Sequence, residues 1–253
     1  MTQNVILFHG FTQTRHSWGN FLYHLEELNI QTKAKPFRFI TFDLPGHGNS
    51  KGFNINYDTI YSQIDKYLPA HFLGYSLGGR IVAKLVADHF NDVSSLTLIS
   101  TSLGIVDEDE RTLRRSEDEQ LAETLRKINF KQFHNFIDDW VKQPIFGNFK
   151  PSQEDLNARY TSNPKKLAES LLTFGQGNFI PLWNKLEIIK SAGIKVLLIA
   201  GYDDPKYLQY LELMSNEFGS SAQQFIVNNA SHAPHLEYPI QTAEVVFNFL
   251  TNI

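Results

Sequence analysis

Over its first hundred residues the chain alternates short apolar runs with amphipathic stretches. Residues 5–8 (VILF) form a continuous apolar run closed by His9-Gly10. Residues 39–43 (FITFD) form a second, which stops at the turn cluster Pro45-Gly46-His47-Gly48. Runs of this length predict buried strands, with glycine and proline marking where each one ends. Residues 70–73 predict a shorter strand that leads straight into Gly74-Tyr75-Ser76-Leu77-Gly78-Gly79. Beyond it Ile81, Val82, Leu85 and Val86 recur at helical spacing, so a helix starts near Leu77, and residues 96–99 (LTLI) return to strand. Strand, helix, strand is the unit of a parallel sheet.

From about residue 103 to residue 190 the pattern changes. Pure apolar runs vanish, and residues 107–119 carry ten charges in thirteen positions, which marks a solvated helical face. Phe133, Phe136, Trp140 and Phe146 stand within helical patterns, and Asn163-Pro164 predicts a helix start ahead of residues 165–172. Short apolar runs then resume. Residues 195–200 (KVLLIA) predict a strand ending at Gly201, and residues 224–227 (QFIV) a last one. A final helix over 240–250 places Val245, Val246, Phe249 and Leu250 at helical spacing. The expectation is an α/β fold with a mainly parallel sheet. Its core comprises residues 1–102 and 191–253, and a helical cap insertion spans 103–190.

Composition narrows the chemistry. The 253 residues include no cysteine, which excludes a disulfide framework, a cysteine-ligated metal and a thiol nucleophile. A net charge of −4 argues against a nucleic-acid footprint. The first apolar run is too short for a signal peptide or a membrane span. A soluble cytoplasmic chain is expected, without stable membrane insertion; oligomeric state cannot be read from the sequence.

Three residues carry the candidate chemistry. Gly74-x-Ser76-x-Gly78 lies between a predicted strand and a predicted helix, the context in which this motif makes a nucleophile elbow. The tight turn lifts the serine hydroxyl above the sheet edge, and the helix N-terminus behind it favours developing negative charge. Asp204 follows residues 195–200 at the strand edge where open α/β sheets place their sites, with Asp203 beside it as a competitor. His232 follows residues 224–227 and can move a proton near neutral pH, with His235 a second candidate. Singly, each has an ordinary explanation as a turn or loop residue. Serine, aspartate, histidine in that chain order, each after its own strand, is the triad order of the α/β hydrolases. His9-Gly10-Phe11 then supplies a candidate oxyanion hole, from the backbone N–H of Phe11 with that of Leu77.

The chain resembles a narrower family. The resemblance rests on His9-Gly10-Phe11, Pro45-Gly46-His47-Gly48, the elbow Gly74-Tyr75-Ser76-Leu77-Gly78-Gly79-Arg80 and the Ser231-His232 pair. In the insertion it rests on Arg114-Arg115, on Asp139-Trp140 ahead of Pro144, and on Arg159. Together these resemble the 2-succinyl-6-hydroxy-2,4-cyclohexadiene-1-carboxylate (SHCHC) synthases of menaquinone biosynthesis, over nearly the whole chain. One position departs. Where the family usually has Gly-Glu-x-Asp-x-Lys, this chain has Gly201-Tyr202-Asp203-Asp204-Pro205-Lys206, an alignment that favours Asp204 over Asp203.

The resemblance implies a lyase that eliminates pyruvate from a small tri-carboxylate substrate, with no metal and no organic cofactor. It implies that Ser76, Asp204 and His232 carry the proton chemistry, and that Tyr75, Arg80, Arg114, Trp140 and Arg159 bind the substrate. Arginine suits that task because its planar, permanently charged fork matches a carboxylate. Arg111, Arg115 and Arg126 are expected to be solvated helix residues. Fold alone does not fix the reaction. The same triad would serve a carboxylesterase or a carbon–carbon-bond hydrolase with Ser76 as covalent nucleophile, or survive in a ligand receptor.

Overall fold

In the computed structural model, β1 (Gln3–Phe8), β2 (Phe37–Thr41), β3 (Ala70–Tyr75), β4 (Val93–Ile99), β5 (Lys195–Gly201) and β6 (Ala222–Val227) form one sheet. The structure describes residues 2–32, 36–50 and 52–253. Neighbouring strands are all parallel, in the order β2-β1-β3-β4-β5-β6. The apolar runs mark the strand centres. At the starts, polar residues such as Gln3, Asn4 and Ser95 still pair, because laddering needs only backbone groups. The second strand is displaced from the expected 39–43. It begins at Phe37, and Asp43 lies beyond its end, accepting from the N–H groups of Arg15 (2.7 Å) and Asn49 (3.0 Å). That carboxylate ties two loops together instead of facing a neighbouring strand.

Alternate side chains of each strand feed two cores. Ile6, Phe8, Phe72, Leu96, Leu98, Val196 and Leu198 face α2 (Tyr57–Ile64), α3 (Leu77–Asp88), α8 (Leu186–Ser191) and α9 (Pro205–Phe218). Val5, Leu7, Leu73, Ile99, Leu197 and Ile199 face α1 (Gly19–Gln31) and α11 (Pro239–Thr251) on the other side. The period of two is what a sheet covered on both faces requires.

Between β4 and β5 the chain builds α4 (Glu108–Lys127), α5 (Phe130–Trp140), α6 (Gln153–Tyr160) and α7 (Pro164–Phe174). The charge run becomes the first turns of α4, capped by the Asp107 side chain accepting from Glu110 N–H at 2.8 Å. Ala122, Leu125, Phe133, Ile137, Leu167, Ala168 and Leu171 form a third, smaller core within these helices. Phe174, Phe179, Leu182, Leu186 and Ile189, at the end of the expected insertion, pack into the α3 face of the sheet instead. The short α10 (Pro234–Glu237) lies between β6 and α11.

Candidate active site

The site lies at the carboxyl edge of the sheet, between β1 and β3, where the strand order reverses direction. Open α/β sheets form their ligand crevice at such a switch point. Ser76 occupies the turn from β3 to α3 with φ 50° and ψ −112°, a conformation that non-glycine residues rarely adopt. Its backbone is held on both sides: its N–H donates to Ile99 O (2.9 Å), and its carbonyl accepts from Thr101 Oγ1 (2.8 Å). The glycines of the motif are a packing requirement. A Cβ on Gly78 would lie 2.1 Å from Phe8 O, and one on Gly74 would lie 2.6 Å from Gly78 O.

His232 Nε2 lies 3.0 Å from Ser76 Oγ, and its Nδ1 lies 2.7 Å from Asp204 Oδ2. With a carboxylate at Nδ1, the neutral ring carries its proton there, which leaves Nε2 free to accept the serine proton. Asp204 and His232 are both buried. Asp204 also caps α9, its carboxylate accepting from Tyr207 N–H at 3.4 Å. The competing residues lie elsewhere. Asp203 is exposed, and His235 is buried with its ring 4.4 Å from that of Tyr75 and its Nδ1 unpartnered. Burial pulls the His235 pKa down to about 3, with the nearby His232 adding to the effect. Tyr202, where the pattern departs, is 61% exposed, so its side chain points away from the triad.

A cavity of about 160 Å³ opens beside Ser76 under the helices of the insertion. Phe11, Tyr75, Leu77, Arg80, Arg114, Trp140, Arg159 and His232 all line it; Asp204 stands behind His232. Leu77 is in the first turn of α3, where the helix has no acceptor for its N–H. The turn carrying Phe11 is fixed by Gly10 N–H donating to Gln13 Oε1 (2.8 Å) and by Gln13 N–H donating back to Gly10 O (3.2 Å). His9 pins this turn to the next loop, its Nε2 accepting from Leu44 N–H (3.0 Å). Burial holds its pKa down to about 4.

The three arginines are wired differently. Arg159 is buried and paired with Asp155 (2.8 Å), with a further bond to Thr12 Oγ1 (3.2 Å). Arg114 is half-buried and paired with the buried Asp118 (2.8 Å). Arg80 is 4% exposed, and no carboxylate among the described residues lies within ion-pair distance of it. Burial pulls its pKa below the usual arginine value. Arg80 Nε, Tyr75 Oη, Trp140 Nε1 and Gln176 Oε1 are all buried without a partner, and all four residues face the cavity. Three of these atoms are hydrogen-bond donors awaiting acceptors, which is what an anion-binding cavity needs. Arg111 and Arg126, by contrast, pair with Glu108 and Glu123 on the surface of α4.

Sequence reasoning missed Gln13, Gln176, Phe146 and Tyr207, which also line the cavity. Only Tyr207 left a usable signal, one helical turn beyond Asp204. A larger open groove of about 1040 Å³ runs between residues 144–154 and 229–239. Asp203 lines it and none of Ser76, Asp204 or His232 does, so it lies apart from this chemistry.

A triad on the switch-point edge of a parallel sheet, behind a strained serine elbow, defines the α/β-hydrolase class. The family model described as the alpha/beta hydrolase fold matches residues 3–239, and the chain belongs to that family. A putative SHCHC synthase of Bacillus subtilis is 30% identical over all of this chain and 92% of its own length. The SHCHC synthase of Serratia proteamaculans is 27% identical over 98% of this chain and 93% of its own. The solved structure of MenH from S. aureus superposes with a TM-score of 0.84 at 27% identity, covering 99% of this chain and 94% of that one. Within the hydrolase fold, the chain belongs to the SHCHC synthase family. A malate-bound esterase from Thermogutta terrifontis, 18% identical with a TM-score of 0.75, shares the fold alone.

Proposed function

We propose that this chain is the lyase that converts 2-succinyl-5-enolpyruvyl-6-hydroxy-3-cyclohexene-1-carboxylate to SHCHC and pyruvate in menaquinone biosynthesis. The observation that carries the reading is Arg80, a buried guanidinium without a carboxylate partner, facing the same cavity as the Ser76–His232 pair. An unpaired buried cation is costly and is compensated when an anionic ligand binds.

The geometry supports the following chemistry. His232 takes the Ser76 proton, and the Ser76 oxygen removes the ring proton next to the succinyl carbonyl. Charge moves onto that carbonyl oxygen, where the N–H groups of Phe11 and Leu77 receive it. The oxyanion collapses through the ring: the carbonyl re-forms, C2=C3 forms, the C3=C4 double bond shifts to C4=C5, the C5–O bond breaks, and enolpyruvate departs. His232 returns its proton to the leaving group, which becomes pyruvate, and no water is consumed. Asp204 holds the imidazole tautomer and stabilises its cation. Tyr75, Arg80, Arg114, Trp140 and Arg159 bind the three carboxylates. A water-soluble substrate and a cysteine-free chain fit the cytoplasm. No helix among the described residues is long and apolar enough to cross a membrane.

The same oxyanion would arise in ester or carbon–carbon-bond hydrolysis, with Ser76 attacking as a nucleophile. Mixing the protein with the enolpyruvyl substrate distinguishes the two. The lyase reading requires pyruvate and the conjugated diene to appear one for one. No pyruvate above background, beside brisk cleavage of a p-nitrophenyl ester, overturns it.

A further inference from the structure

Tyr207 has no role in the chemistry above, yet it contacts both Asp204 and His232. It lies in the first turn of α9, so its backbone N–H donates to Asp204 O (3.1 Å) as well as to the Asp204 carboxylate. Its ring centroid lies 4.4 Å from that of His232. The residue is only 6% exposed and lines the same cavity as Arg80, whose charge acts on its phenol. The phenol stays protonated at neutral pH, because burial pushes its pKa up against the opposing pull of Arg80 and Arg114.

The chemistry of the two groups decides what this pair can do. A guanidinium only donates, so Arg80 cannot take the phenolic proton, and no acceptor among the described residues does. It sits beside a cation that itself lacks a carboxylate. We propose that Tyr207 is a specificity-determining residue, whose O–H donates to the same substrate carboxylate that Arg80 holds. The pair forms a two-donor clamp on one wall of the cavity. Because the ring also packs on His232, the clamp sets the substrate's position relative to the proton-transfer pair. The clamp rests on the carboxylate-binding role given to Arg80 above.

The test compares wild type, Tyr207→Phe, Arg80→Met and the double variant. Steady-state pyruvate release is measured on each, with calorimetric titration by 2-succinylbenzoate, an aromatic dicarboxylate that cannot eliminate. Tyr207→Phe keeps the ring and loses only the hydroxyl. KM and the titrated Kd are expected to rise roughly tenfold, the scale of one hydrogen bond to a charged group. kcat should stay within about twofold, since the contact is the same in ground and transition states. In the Arg80→Met background, removing the hydroxyl should cost less than about twofold more, because the two donors serve one carboxylate. Wild-type KM and Kd in Tyr207→Phe, or an equal loss in both backgrounds, overturn the clamp. A lowered melting temperature with kcat and KM both changed marks a packing role only, and also overturns it. Should the wild type release no pyruvate, the lyase reading fails while the titration still decides Tyr207. A wild type that binds no 2-succinylbenzoate contradicts the clamp outright.

Discussion

The backbone N–H of His232 donates a 3.1 Å hydrogen bond to the carbonyl oxygen of Ile145. Ile145 belongs to the short helical turn Pro144–Phe146 that follows α5, so the insertion holds the loop on which His232 rides. The Phe146 ring, 6.1 Å from the imidazole, closes the same side. A rigid core thus positions Ser76 and Asp204, while the third member of the triad depends on the cap.

Gly147 is where that dependence can be tested. Its φ of +55° suits glycine, and a Cβ there would lie 2.1 Å from Ser231 Oγ, next to His232. The hydroxyl can rotate away, but the strained φ and Ser231 Cβ at 3.1 Å remain, so Gly147→Ala is expected to shift this turn by a few tenths of an ångström and lower kcat by roughly tenfold. Turnover at saturating substrate measures this, and an unchanged kcat refutes the cap's role in holding His232.

Asp204→Asn separates catalysis from folding. Asparagine caps a helix as well as aspartate does, so α9 and the melting temperature should be nearly unaffected. An amide no longer fixes the Nδ1–H tautomer or stabilises the imidazolium, so kcat should fall by roughly a thousandfold or more. Pyruvate release and thermal melting on the same preparation read both effects.

Asp155 keeps Arg159 in place. The pair is buried, and Asp155 also accepts from Ser17 Oγ, so its removal strands a cation in a low-dielectric site. Asp155→Ala is expected to destabilise the fold by about 3–5 kcal/mol, the usual cost of orphaning one member of a buried pair. Urea unfolding checks it; a shift under about 1 kcal/mol would mean that Arg159 relaxes into solvent.

Four buried histidines make the fold acid-sensitive. Burial lowers the pKa of His9 and His71 to about 4, that of His235 to about 3, and that of His47 well below its usual value. In the unfolded chain each titrates near 6.5, so below that pH the unfolded state binds more protons than the folded one. Stability is therefore fully present above pH 6.5 and is lost as pH falls toward 4, by up to about 1.4 kcal/mol per histidine per pH unit. Urea midpoints at pH 7.5 and 5.5 should differ markedly, whereas equal midpoints would contradict the buried neutral state.

The sheet was legible because its strands are buried on both faces and so read as unbroken apolar runs, as in residues 5–8 and 195–200. Strand starts were not, since Gln3, Asn4 and Ser95 pair through the backbone while their side chains remain polar. Ser76 announced itself because a strained elbow demands glycines at fixed offsets. Chain order pointed to a triad, the family pattern favoured Asp204 over Asp203, and only the fold separates His232 from His235. Burial and direction made the difference in space, and neither is encoded locally. Tyr207 left only its spacing from Asp204, and Gln176 no motif at all: they reach the cavity through the packing of α9 and of the segment after α7.

Everything proposed for the reaction turns on Ser76 performing the proton transfer that releases pyruvate. The direct test is the initial rate of pyruvate formation from the enolpyruvyl substrate, measured for wild type and Ser76→Ala side by side. The expected result is a loss of at least roughly a thousandfold in kcat, with the cavity still binding 2-succinylbenzoate. A Ser76→Ala protein that releases pyruvate within about tenfold of the wild-type rate would show that another group takes the proton.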